Sequence, residues 1–190
     1  MPSNRKVHGV GVNDTSGYVS SKVNGKKVFC PYYDRWKGML RRCYSASEHK
    51  RSPSYIGCSV CDEWLLFSNF KKWMATQDWQ GKQLDKDLLV QGNKIYSPEC
   101  CLFVSKAINS LLTGDRSNKG DNPQGVSFNK CAKEYIANVF TKGKQVYIGS
   151  FCTSDLAFEA YKTAKYAIIK NAAMEQSDPL KSALLRYKIK

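Results

Sequence analysis

Between Pro31 and Tyr44 the apolar residues fall at Trp36, Met39, Leu40, Cys43 and Tyr44, while Arg35, Lys37, Arg41 and Arg42 take the other faces. Spacings of three and four predict an amphipathic helix. A second stripe, Trp64, Leu65, Phe67, Phe70, Trp73 and Met74, predicts a helix from about Asp62 to Thr76. The polar run SASEHKRSPSYIG between the two stripes reads as a loop. Ahead of them, residues 1–30 are rich in Gly, Ser and Lys, with short β-like pieces at Gly17–Ser20 and Lys27–Cys30. They read as an arm or loose hairpin.

In LDKDLLVQGNKIYSPECC, residues 84–101, Leu84, Leu88 and Leu89 supply strand positions and Gln91-Gly92-Asn93 a turn. Ser97-Pro98-Glu99 carries the marks of a helix start: a cap, a proline at the first position and an acid in the first turn. A hairpin followed by a helix from about Pro98 to Leu112 is therefore expected. The polar stretch TGDRSNKGDNPQ, residues 113–124, is the clearest linker. Beyond it Gly125–Asn129, Glu134–Phe140 and Gln145–Phe151 predict three short strands with polar turns. Thr153-Ser154-Asp155 then caps a helix whose apolar face is Leu156, Ala157, Ala160, Tyr161 and Ala164. A last helix is expected around Pro179–Tyr187. The pattern is that of an α+β protein: an arm (1–30), a helical module with a ββα element (31–112), a linker (113–124), a three-stranded antiparallel sheet packed on one helix (125–173) and a helical tail (174–190).

Composition sharpens this picture in three ways. The 42% hydrophobic and 24% charged residues are those of a folded protein, not a disordered one. No apolar run approaches the roughly 20 residues that cross a bilayer, and the N-terminus lacks a signal-peptide core, so an intracellular protein without a membrane partner is expected. Thirty Lys and Arg against sixteen Asp and Glu give a net charge of +14. Such an excess attracts polyanions, and its commonest use is phosphate neutralisation on nucleic acid.

Eight cysteines stand at positions 30, 43, 58, 61, 100, 101, 131 and 152. Without export they read as thiols, either metal ligands or small buried residues. Cys58-x-x-Cys61 has the spacing of half a structural zinc site. Cys30, Cys43 and Cys101 are the cysteines that would complete it in three dimensions.

Gly125-Val126, Tyr135, Ala137, Tyr147-Ile148-Gly149, Phe151, Thr153, Ala157, Ala160-Tyr161 and Ala164 follow one another in an order and spacing that resemble the APETALA2-type DNA-binding domain. That domain is known from plant transcription factors and from phage and bacterial homing endonucleases. The resemblance implies a sheet lying in the major groove of double-stranded DNA, with a helix behind it. Carried across, the groove positions are Ser127, Asn129, Asn138, Phe140, Lys142 and Lys144, with Lys130 and Lys133 beside them as phosphate contacts. Arginines expected on the first two strands are replaced by Ser127, Asn129 and Phe140, which removes bidentate reading of guanine.

The central residues Trp36, Met39-Leu40, Arg42-Cys43-Tyr44, Tyr55, Cys58, Cys61-Asp62-Glu63-Trp64, Phe67, Phe70, Leu84-Asp85-Lys86-Asp87, Gly92-Asn93-Lys94, Tyr96-Ser97-Pro98-Glu99 and Cys101 are similar to phage proteins of the HNH-like, homing-endonuclease-like kind. The resemblance implies a bacteriophage origin, action in the cytoplasm of an infected bacterial host, and a nuclease in which a hairpin histidine activates water and a divalent cation steadies the phosphorane. In this chain Asp85 and Asp87 alternate onto one strand face and could meet one Mg²⁺ or Mn²⁺. Asn93 sits in the turn. Lys86 stands at the base position, where an ammonium is a poor base, which leaves His49 as the histidine within reach. Arg41, Arg42, Lys50 and Arg51 would add phosphate contacts.

Three readings stay open. One is a metal-dependent DNA endonuclease, and another is a nuclease-derived regulator that binds DNA without cutting it. The third is an inhibitor that engages a host protein through its aromatic helices.

Overall fold

A computed structural model of the chain describes residues 6–113, 122–141 and 143–189, so most of the expected linker and Lys142 lie outside the described residues. The protein is α+β and divides into two compact units, Met1–Phe103 and Val104–Lys190. Among the described residues no helix is long and apolar enough to cross a membrane.

The first unit opens with a turn in which Val7 bridges Gly11. An antiparallel hairpin follows, β1 (Ser20–Val23) and β2 (Lys26–Phe29). Helix α1 (Pro31–Tyr44) buries Tyr33, Trp36, Met39, Leu40 and Cys43, as its periodicity requires. The expected loop after it contains a short helix, α2 (Ala46–Arg51), and a 3-10 turn at Pro53–Tyr55. The second apolar stripe divides into a 3-10 turn, Asp62–Leu65, and helix α3 (Phe67–Ala75), separated by the extended residue Leu66. Leu66 cannot cap α3 with its side chain. Asp14 does so from a distance: its Oδ1 accepts from Ser68 N at 2.9 Å, and its other oxygen accepts from the Ser68 hydroxyl. With Val12 N donating to Leu65 O at 2.8 Å, part of the expected arm is woven into the fold. Gly11 shows how tightly: a Cβ there would lie 2.3 Å from Leu40 Cδ1 and 2.8 Å from the Trp36 ring.

The core of this unit is aromatic. Trp36, Trp64, Phe67 and Phe70 are buried together, and the Trp36 indole donates to Trp64 O at 2.7 Å, so its one polar atom is satisfied. Around this core the strands pair at long range. β3 (Ser59–Val60) pairs in parallel with β5 (Ile95–Tyr96), and β4 (Gln83–Asp85) pairs with β6 (Leu102–Val104). The two arms of the expected hairpin therefore pair elsewhere, not with each other. Ser97-Pro98-Glu99 forms a single turn, with Cys101 N donating to Ser97 O at 3.0 Å. The chain extends before the true helix, α4 (Lys106–Thr113), whose Ile108 N–H is capped by Ser105 Oγ at 3.2 Å. A cap signal without a continuing apolar period closes a turn and stops there.

The second unit follows its sequence pattern closely. It contains α4 and a three-stranded sheet of β7 (Val126–Asn129), β8 (Glu134–Thr141) and β9 (Lys144–Phe151), antiparallel in the order β7-β8-β9. Helix α5 (Ser154–Met174) starts at Thr153, whose side chain accepts from Leu156 N at 3.3 Å. It buries Ala157, Tyr161, Lys165, Ile169 and Ala173. Leu156, expected on the apolar face, is half exposed. Helix α6 (Leu180–Leu185) completes the unit. Gly125 sits with φ at +78° and its Cα against the buried Tyr161 ring, where a Cβ would come within 2.1 Å.

Candidate functional site

Register decides which side chains share a face of the sheet, because residues opposed across antiparallel strands point the same way. Val126 opposes Ala137, and Ala137 opposes Gly149. Val126, Ala137 and Val139 are buried against Ala157 and Tyr161 of α5. The other row is Ser127, Ile136 and Ser150, then Asn138 with Tyr147 and Phe140 with Gln145. Ser127, Asn129, Asn138 and Phe140 thus share the outer face, as expected. Lys144 opposes Thr141 and falls in the alternate row, exposed at the start of β9. Lys130 and Lys133 are exposed in the β7–β8 turn, with Lys133 at φ +57°. Asn129 is engaged in that turn, its Oδ1 accepting from Cys131 N at 3.0 Å and Ala132 N at 3.3 Å. Lys142 lies outside the described residues.

Five outer-face residues lie outside the positions that the resemblance carries across: Glu134, Ile136, Gln145, Tyr147 and Ser150. A bulge between Ala137 and Asn138 skips Ile148 and resets the phase of β9, so Tyr147 and Ser150 share a face although three residues apart. Their side chains are joined, Tyr147 Oη and Ser150 Oγ standing 3.0 Å apart. The signal lay in the pairing partners of β8 and not in the alternation of β9.

In the first unit most basic candidates are held internally. Arg41 Nε and Arg51 Nη2 both bind Glu48 Oε2, at 3.1 and 2.5 Å. The Arg51 hydrogen bond, foremost among its partners, holds the buried Glu48 carboxyl below the usual glutamate range. Arg42 lies over the Tyr55 ring at 5.7 Å and against Tyr96, whose hydroxyl is pushed up by burial. Lys50 is exposed. His49 Nε2 is 2.9 Å from the Arg42 carbonyl, which only accepts, so Nε2 carries the proton and the imidazole is tied to the end of α1.

The loop after β4 is closed by reciprocal bonds. Lys86 Nζ donates to Asn93 O at 2.9 Å, and Asn93 Nδ2 donates to Lys86 O and to Ile95 O, each at 2.6 Å. Asp85 Oδ1 accepts from Asp87 N at 3.0 Å and Leu88 N at 2.8 Å. Burial pushes the Asp85 carboxyl up, and the charge of Asp87 adds to that. Strand β4 ends at Asp85, so the expected alternation does not continue to Asp87, which is exposed. Lys86, expected to face away from both acids, is buried with its ammonium 3.6 Å from Asp87 Oδ2. Asn93 orients the loop backbone and not a base.

Among the described residues no three His, Cys, Asp or Glu side chains gather in a group that could hold a metal ion. The donors Asp85 and Asp87 do not fit a Mg²⁺ or Mn²⁺ site as placed: one carboxylate oxygen caps the backbone and the ammonium of Lys86 stands beside the other acid. Of the candidate cysteines Cys43, Cys58 and Cys101 are buried and Cys30 and Cys61 partly so. Burial pushes Cys43 up to about 12, helped by its neighbour Cys58. Burial likewise raises Cys61 and Cys101. Cys30, half-buried, packs on the aromatic core. These five do not form a four-thiolate set.

No family model, curated protein or solved structure matches this chain. The geometry of its two units is what bears on function.

Proposed function

We propose that the protein binds double-stranded DNA through the outer face of β7-β8-β9, as a phage-encoded DNA-binding protein of the HNH/APETALA2 kind acting in the cytoplasm of an infected bacterium. The observation that carries this reading is the row Ser127, Asn138, Gln145, Tyr147 and Ser150. These hydrogen-bonding side chains share the face with the apolar Ile136 and Phe140 and, at its end, with Asn129 and Glu134, and lysines lie at the turn beyond. A sheet of this width fits the major groove, where Asn and Gln pair with adenine edges. Lysines at the rim hold phosphates and set register without reading sequence. The charge of +14 supplies the long-range attraction.

Between the cutting and non-cutting versions of this reading, the loop at Asp85–Asn93 favours the second. Asp85 caps backbone and Asp87 stands beside the fixed Lys86 ammonium, which suits a nuclease-derived scaffold kept for binding.

Titration of a labelled duplex over a salt series tests the proposal. Log affinity falls linearly with log salt, and Lys130→Gln with Lys133→Gln lowers that slope by roughly 0.9 per lysine. Asn138→Ala and Gln145→Ala leave the slope and change the preferred sequence. Affinity that ignores salt would sink the proposal. Nicking of supercoiled plasmid with Mg²⁺ or Mn²⁺ that is lost in Asp87→Ala would restore the endonuclease.

A further inference from the structure

The hairpin β1–β2 is exposed along nearly its whole length and carries Lys22, Lys26 and Lys27. Its turn, Asn24 at φ +49° and Gly25 at φ +76°, has the two left-handed residues of a tight two-residue connection. Lys22 stands directly opposite Lys27, a like-charge pair that costs stability in an isolated ribbon. No Asp or Glu occurs between Asp14 and Asp34. The charge continues onto α1: the ammonium groups of Lys27 and Lys37 lie 4.9 and 4.7 Å from the centre of the same Phe29 ring. Among the described residues none of these four lysines makes an ion pair. In the same unit, by contrast, Arg41 and Arg51 share an ion pair with Glu48.

A ribbon bristling with one sign of charge is a poor solubilising device, since mixed charges do that without repulsion. It suits a polyanion, whose phosphates relieve the Lys22–Lys27 repulsion on binding. A two-stranded ribbon also has the width of the major groove. We infer that β1–β2, with Lys37, is a second duplex-contacting element that grips phosphates of double-stranded DNA independently of the β7-β8-β9 face. This inference rests on the proposed DNA-binding function and adds a contact site to it.

The full-length protein, its Lys22→Gln/Lys26→Gln/Lys27→Gln variant and the corresponding triple Arg variant are titrated with a random-sequence duplex over a salt series. The expected result is a slope of log affinity against log salt smaller by roughly 0.9 per lysine in the Gln variant, and a slope kept in the Arg variant. All four tryptophans, Trp36, Trp64, Trp73 and Trp79, lie in the first unit. Their fluorescence therefore reports that the unit carrying the ribbon remains folded. Salt-dependent wild-type binding with an unchanged slope in the Gln variant overturns the ribbon and leaves the sheet reading intact. A wild type that binds no duplex overturns both. A Gln variant that loses binding to anionic vesicles but not to duplex overturns the ribbon in favour of a lipid surface.

Discussion

The two units of the chain treat polar candidate residues in opposite ways. In the second unit, strands adjacent in sequence pair with one another, and the polar row from Ser127 to Ser150 stays on an open face. In the first, β3 pairs with β5 across more than thirty residues, β4 pairs with the non-adjacent β6, and most polar candidates are tied to partners within the unit. Lys86 closes a loop, Arg42 lies against Tyr96, and Arg41 and Arg51 clamp Glu48. An open face leaves hydrogen-bonding capacity for a partner, whereas a buried network uses its capacity to hold the fold. The contrast separates a recognition surface from a scaffold.

The largest effects come where each unit has no room. Gly125→Ala places a methyl 2.1 Å from the Tyr161 ring at a φ of +78°, and costs about 4 kcal/mol from overpacking and strain together. Duplex binding through the sheet is lost while tryptophan fluorescence stays native, because the tryptophans are all in the other unit. Gly11→Ala, pressed on Leu40 and Trp36, costs about 2 kcal/mol and perturbs that fluorescence instead. If both variants moved both readouts equally, the units would not be separable.

The loop gives the next largest effects. Lys86→Met leaves Asn93 O without its charged donor and costs about 2 kcal/mol by denaturant unfolding. Asp85→Asn keeps the Oδ1 acceptor for Asp87 N and Leu88 N and removes a buried charge, so stability changes by less than about 1 kcal/mol, whereas Asp85→Ala costs about 2 kcal/mol. The raised Asp85 value means the folded state holds its proton more tightly. That contribution is present at low pH and is lost as pH rises through the folded value. The benefit of Asp85→Asn over wild type therefore grows toward neutral pH.

Glu48 has the opposite sign. Its folded value lies below the ordinary 4.5, so its contribution is present above that value and is lost as pH falls through the folded one. Glu48→Gln lowers the melting temperature at neutral pH, and the gap from wild type closes in acid. The outer face of the sheet gives the smallest effects: Asn129→Ala removes one turn acceptor and costs up to about 1 kcal/mol, and Asn138→Ala leaves stability unchanged.

Legibility in the sequence followed contact range. The strands at Val126–Asn129, Glu134–Thr141 and Lys144–Phe151 and the Thr153 cap were readable because their partners are a turn away. So were α1 and its buried Trp36, Met39 and Leu40, since helical spacing is local. The hairpin expected at Leu84–Tyr96 was not readable as it stands. Each of its arms finds a better partner in β3 or β6, and nothing local in LDKDLLVQGNKIYSPECC reports those partners. Lys86 departs from its expected face for a related reason: strand alternation stops at Asp85, where β4 ends. The outer row of the sheet was half readable, because the bulge at Ile148 moves Ser150 onto it against simple alternation.

The amino-acid sequence by itself determined an α+β chain with two aromatic helical stripes, a three-stranded antiparallel sheet backed by a helix, and a basic excess, since periodicity, turn residues and net charge are local or summed properties. Tertiary structure alone decided which charges are free. It tied Arg41 and Arg51 to Glu48, set the Lys86 ammonium beside Asp87, and left Lys22, Lys26 and Lys27 on an exposed ribbon without an ion pair among the described residues. The physical reason is that a side chain's charge is available or paired according to its neighbours in space, and here those neighbours, though near in sequence, are brought together by a short helix and a turn that only the folded backbone specifies.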